Sequence, residues 1–198
     1  MTAPSADTSR VSNWNLPNFL TVLRILGVPV FLWVLLQEGG EATNWRWWSF
    51  VVFALLMATD KLDGHLARSR NLITDFGKIA DPIADKALML AALIGMNIID
   101  ILPWWVTVII VIREGGITIW RMFALRQGRV VPASRGGKIK TVLQSVAVGL
   151  FLMPVDWLFW PSWIVMVAAI VVTVGTGIQY IVDCLLYTSD AADDSLRV

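Results

Sequence analysis

The chain has one cysteine, one histidine and two tyrosines in 198 residues, and only 16% of its residues are charged. A single cysteine excludes an internal disulfide. Neither zinc-ligand spacing nor a catalytic triad is present, and no P-loop or GxGxxG fingerprint occurs. The lone histidine, His65, is expected on a surface or in packing rather than in catalysis. No secretory signal is visible in residues 1–12, which are polar and lack both an apolar core and a small-residue cleavage site. The polar head, 1–14, is expected to be disordered.

Apolar residues are abundant. They make up 57% of the chain, with a mean hydropathy of +0.67, more than a soluble domain of this size carries. A membrane-spanning helix needs about 20 mostly apolar residues. Six segments qualify as candidates: 19–36, 48–66, 79–99, 102–123, 139–153 and 163–182. The pattern predicts an all-α integral membrane protein with six transmembrane helices forming one domain over 15–183.

Charge placement orients those helices. The linkers after the first, third and fifth segments hold Arg46 as their only cation. The second linker holds Arg68 and Arg70, and the fourth holds Arg126, Arg129, Arg135 and Lys138. Positive linkers stay inside, so these two linkers and both termini are expected in the cytosol of a multi-pass cell (inner) membrane protein. Trp45, Trp47, Trp48, Trp104, Trp105, Trp157, Trp160 and Trp163 gather near the arginine-poor linkers, as an interfacial belt does.

Between Asp60 and Asp85 the chain reads DKLDGHLARSRNLITDFGKIADPIAD. Asp60 and Asp63 are three apart and Asp81 and Asp85 four apart, so each pair occupies one face of a helix. Carboxylates inside a membrane protein are costly and mark function. Each like-charge contact at ~4 Å costs about 4 kcal/mol at an effective dielectric of ~20. Divalent cations relieve that repulsion, and oxygen-only donors suit magnesium or manganese, with room for two ions. Gly64, Ala67 and Gly77 keep the facing surfaces shallow for a substrate, and Arg68 can fork onto a phosphate. Asp85, nearest the second basic linker, is the expected general base for a hydroxyl nucleophile. Asp75 lies outside both pairs and is expected in a turn or salt bridge.

The spacing Asp-x2-Asp-Gly-x2-Ala-Arg-x8-Gly-x3-Asp-x3-Asp resembles the signature of the CDP-alcohol phosphotransferase family at all eight fixed positions. The resemblance implies six helices, a homodimer, a dimetal site facing the cytosol, and phosphatidyl transfer from CDP-diacylglycerol to an alcohol with release of CMP. By position it implies Asp60, Asp63, Asp81 and Asp85 as metal ligands, with Asp85 doubling as base. It also implies Gly64, Arg68 and, more loosely, Thr74 as contacts of the CDP moiety.

The acceptor is expected to be set by a second region, REGGITIWRMFALRQGRVVPASRGGKIKTVLQ. Topology alone accounts for Arg126 and Arg129. Arg113 and Arg121 lie in or near an apolar helix, and Lys138 and Lys140 open another; cations there suit a phosphorylated acceptor. This region, with the opening Asn15-Leu-Pro-Asn-Phe-Leu-Thr-x2-Arg24, resembles the phosphatidylglycerophosphate-forming branch of the family. That implies glycerol 3-phosphate as acceptor, and Asn18, Thr21 and Arg24 on the nucleotide side. Two rivals remain: a sister phosphatidyltransferase using inositol phosphate or phosphatidylglycerol, and a divalent-cation transporter. Membrane lipid is an expected partner and nucleic acid is not. The last fifteen residues, 184–198, resemble the translation of a transposase sequencing adaptor and are expected to be non-native.

Overall fold

The computed structural model describes residues 15–69, 74–126 and 135–195, with side chains throughout except at 63–68, 75, 78, 79, 121, 123–126, 135 and 183–195. The polar head, 1–14, lies outside the described residues. Among the described residues there are six α-helices and no strand. They are α1 (Leu16–Leu35), α2 (Thr43–Ser69), α3 (Asp75–Ile98), α4 (Trp104–Arg126), α5 (Arg135–Leu152) and α6 (Phe159–Ser195). Short 3-10 helices, Gln37–Gly40 and Asp156–Leu158, precede α2 and α6. Each apolar segment of the sequence forms the body of one helix. The helices also run into the charged stretches: α2 continues through Ser69 and α3 begins at Asp75, so both aspartate pairs are helical.

Asn15 caps α1 by accepting from the Asn18 backbone N–H at 2.9 Å, and Pro17 sits in the first turn, where a missing N–H costs nothing. Pro29 in α1 and Pro82 in α3 each remove a helical hydrogen bond, yet neither helix ends there. The chain divides into two compact units at Gly95 and Met96.

In the first unit, the inner face of α1 changes character along its length. Asn18, Thr21 and Arg24 are buried in its first half, and Phe31, Val34 and Leu35 in its second. The apolar half packs on α2, where Phe53 meets Phe31 with ring centroids 5.8 Å apart. Ala80, Ala84, Leu88 and Ala92, at strict four-residue spacing, form the buried face of α3.

The second unit repeats that zoning. On α5, Lys140 and Gln144 are buried first, then Ala147, Val148 and Leu152. α6 presents Ser162, Met166, Ala169 and Thr173 along its buried face. Trp163 packs edge-on against Phe151 at 5.4 Å and stacks with Trp105 at 6.5 Å. Asn97 closes the turn into α4, donating to the Leu102 carbonyl and accepting from the Thr107 hydroxyl, both at 2.6 Å.

By length and apolarity, two helical stretches among the described residues are able to cross a membrane, Leu16–Leu35 and Asp156–Val182. The other four helices carry charges that interrupt their apolar runs, among them Asp60 and Lys61, Asp81 and Asp85, Arg113 and Glu114, and Lys138 and Lys140. Large apolar side chains nevertheless cover the exposed faces: Leu26 is 62% exposed, Ile112 68% and Ile164 67%. So many exposed large apolar side chains suit a lipid or protein surround. Trp47, Trp48, Trp104, Trp105, Trp157 and Trp160 are all exposed, near the starts of α2, α4 and α6. The sequence pattern turns polar after Asp183, but the α6 backbone stays helical through Ser195.

Candidate active site

The buried polar stripe on α1 organises the first cluster. Asn18, Thr21 and Arg24 follow one another at three-residue spacing, 5%, 1% and 0% exposed. Each takes one partner from the aspartate motif. Arg24 Nη1 stands 2.8 Å from Asp60 Oδ1 on α2. The Thr21 hydroxyl is 2.5 Å from Asp81 Oδ1 on α3, with the Pro17 carbonyl a second acceptor at 3.1 Å. The Thr74 hydroxyl donates to Asn18 Oδ1 at 2.9 Å. One aspartate of each pair is therefore anchored to the same face of one helix.

Electrostatics explain the arrangement. A guanidinium as buried as that of Arg24 costs several kcal/mol in desolvation unless an anion offsets it. Asp60, still a third exposed, provides that anion and keeps access to the outside. Thr74 immediately precedes α3 and accepts from the Gly77 N–H at 3.1 Å, the geometry of a helix N-cap. Its hydroxyl thus links the cap of α3 to Asn18. Gly77 is buried against this junction. A Cβ there would lie 3.0 Å from Asn18 Oδ1, 3.3 Å from Thr74 Oγ1 and 3.8 Å from Asp81 Oδ2.

Asp85 is half-buried one turn beyond Asp81. The side chains of Asp63, Gly64, Ala67 and Arg68 lie outside the described residues, though their backbone is part of α2. Among the described residues, no three acidic, histidine or cysteine side chains converge as a ligand set. The acidic donors at hand, Asp60, Asp81 and Asp85, are carboxylates, and the neighbouring Asn18 adds a further oxygen. Oxygen donors of this kind suit a hard divalent cation and disfavour a soft one.

A second cluster forms within the second unit. Glu114 Oε1 accepts from Arg113 Nη1 at 3.0 Å and from Lys140 Nζ. Arg113 also donates through Nε to the Thr173 carbonyl at 3.2 Å and through Nη2 to the Thr176 hydroxyl at 2.8 Å. Gln144 donates to the Thr173 hydroxyl at 3.0 Å. Gly136 lets the start of α5 approach α6, since a Cβ there would lie 2.6 Å from Thr176 Cγ2. Of the four cations expected to bind an acceptor phosphate, the structure brings Arg113 and Lys140 to one carboxylate. It leaves Lys138 exposed, and the Arg121 side chain lies outside the described residues.

Sequence reasoning gave no role to Glu114, Gln144, Thr173 or Thr176. The available signal was an acid beside Arg113 in an apolar helix, and polar residues recurring at buried helical spacing on α5 and α6.

Comparison with known proteins agrees with the motif. A family model described as CDP-alcohol phosphatidyltransferase matches residues 14–175. A Mycobacterium tuberculosis (strain H37Rv) protein named "Probable phosphatidylglycerophosphate synthase" is 46% identical over 185 residues, 93% of this chain and 87% of its own. The Bacillus subtilis (strain 168) "CDP-diacylglycerol--glycerol-3-phosphate 3-phosphatidyltransferase" is 38% identical over 149 residues, 71% of this chain and 77% of its own. A Streptomyces coelicolor protein named "Cardiolipin synthase (CMP-forming)" is 36% identical over 117 residues, 59% of this chain and 54% of its own. With the family model spanning most of its length, this chain belongs to the CDP-alcohol phosphatidyltransferase family.

Proposed function

We propose that this chain transfers the phosphatidyl group of CDP-diacylglycerol to the 1-hydroxyl of sn-glycerol 3-phosphate, giving phosphatidylglycerol phosphate and CMP. The names of the relatives from Mycobacterium tuberculosis and Bacillus subtilis support this acceptor. The observation that carries the site is the anchoring of Asp60 and Asp81, one from each aspartate pair, to Arg24 and Thr21 on one face of α1.

Asp85 accepts the proton of the acceptor hydroxyl, whose oxygen forms a bond to the lipid-side phosphorus. The bond between that phosphorus and the bridging oxygen breaks, and the electron pair leaves with CMP. Arg68 steadies the charge on the departing phosphate. Gly64, Ala67 and Gly77 leave space for the nucleotide, with Asn18, Thr21, Arg24 and Thr74 supporting that side. Arg113, Arg121, Lys138 and Lys140 receive the acceptor's phosphate.

Members of this family generally use divalent metals. Asp60, Asp63, Asp81 and Asp85 would hold two ions of magnesium or manganese, which supply charge neutralisation to the pyrophosphate. The charged stretches of α2 to α5 lie on the cytosolic side of the membrane in a six-span, homodimeric protein with both termini in the cytosol. The positive linkers and exposed tryptophans support that topology.

The test is CMP release by the purified chain in detergent with CDP-diacylglycerol and magnesium or manganese. Glycerol 3-phosphate, inositol phosphate and phosphatidylglycerol are supplied separately. Release with glycerol 3-phosphate well above the other two is expected; release only with another acceptor, or none at all, sinks the reading.

A further inference from the structure

We propose that Glu114 is a positioning residue for the acceptor's phosphate, drawing Arg113 and Lys140 from two helices into one anion-receiving pair. The inference rests on the reading that the acceptor is glycerol 3-phosphate.

Arg113 and Lys140 are 27 residues apart, on α4 and α5. Their like charges repel. Without an anion between them they would turn apart. Glu114 Oε1 takes a hydrogen bond from each and holds them together. The arginine is steadied from its other side by α6, through the Thr173 carbonyl and the Thr176 hydroxyl.

Two cations against one carboxylate leave the group with a net charge of +1. A neutral alcohol gains little from such a site. A phosphate monoester, carrying close to two negative charges, gains from both cations at once. Glu114 therefore favours a phosphorylated acceptor by keeping both cations together. Its own repulsion of the phosphate is the opposing effect. Charge-assisted hydrogen bonds to correctly placed cations outweigh a repulsion that those same cations screen.

The acceptor pocket and the lipid-nucleotide pocket read out separately in kinetics. In Glu114→Gln, KM for glycerol 3-phosphate is expected to rise about tenfold, the order of one lost charge-assisted contact. KM for CDP-diacylglycerol is expected to stay within about twofold. Glu114→Asp, which keeps the charge on a shorter stem, should recover part of the acceptor KM, and it carries the test by itself if the glutamine variant does not fold. Equal change in both KM values, or no recovery by aspartate over glutamine, would assign Glu114 to holding helices together and overturn the proposal. A fall in the acceptor KM would overturn it too, by making Glu114 a competitor of the phosphate. Wild-type chain that releases no CMP with glycerol 3-phosphate would instead sink the underlying reading, so the two failures are distinguishable.

Discussion

Arg24, wholly buried on α1, holds Asp60 of α2 across 2.8 Å, so a residue far from the aspartate motif in sequence controls the motif's first carboxylate. Removing one partner of a buried ion pair costs about 3–5 kcal/mol, because the other charge is left unpaired. Asp60 is one-third exposed, so the cost here is smaller, on the order of 2 kcal/mol. Arg24→Gln is expected to lower the unfolding midpoint by several degrees and activity by at least about tenfold. Arg24→Lys should recover stability better than activity, because an ammonium lacks the planar fork. Thermal unfolding alongside initial rates checks both.

Thr21 offers a cleaner probe of Asp81, because valine keeps its shape and removes only the hydroxyl. A hydrogen bond to a charged group contributes about 1.5–3 kcal/mol. Thr21→Val should raise the manganese concentration needed for half-maximal activity about tenfold or more, and Thr21→Ser should restore it. Manganese binding followed by electron paramagnetic resonance gives the same comparison without turnover. An unchanged metal requirement in the valine variant would remove Thr21 from the site.

At Gly77 two effects oppose each other. Alanine favours the helix by about 1 kcal/mol over glycine. Its Cβ would sit 3.0 Å from Asn18 Oδ1, which cannot retreat without weakening the hydrogen bond from Thr74. Gly77→Ala is therefore expected to leave stability within about 1 kcal/mol and to cut activity severalfold or more. A chemical-denaturation curve beside an activity assay separates the two.

Asp85→Asn should abolish CMP release while leaving much of the manganese binding intact, since an amide keeps an oxygen donor but cannot accept the proton. Wild-type rates in the asparagine variant would transfer the base role elsewhere. Chelation should silence the wild type, with recovery on adding magnesium or manganese but not calcium, whose larger and more flexible coordination suits the site poorly.

Deleting 184–198 should leave activity and unfolding unchanged, because the family match ends at residue 175 and no role falls on the later residues. Loss of activity in the shortened chain would make that helical extension part of the protein's working structure.

Local helical periodicity carries most of what could be read in advance. Apolar runs located all six helices, and spacing of three and four put Asp60 with Asp63, and Asp81 with Asp85, on single faces. The eight fixed positions sufficed for the family. Helix ends were less legible: the charges that end an apolar run do not end a helix, so α2 and α3 reach further into the motif than hydropathy suggests.

Partnership between distant residues was not legible. Asn18, Thr21 and Arg24 were readable as residues of the nucleotide side, but their pairing with Thr74, Asp81 and Asp60 spans up to 60 residues of chain. Glu114 read as one acid in a basic region until α5 brought Lys140 to it. Chain spacing sets which side chains share a face, because a helix repeats every 3.6 residues. Which face meets which is set by packing and by the need to pair every buried charge, and only the tertiary structure decided that.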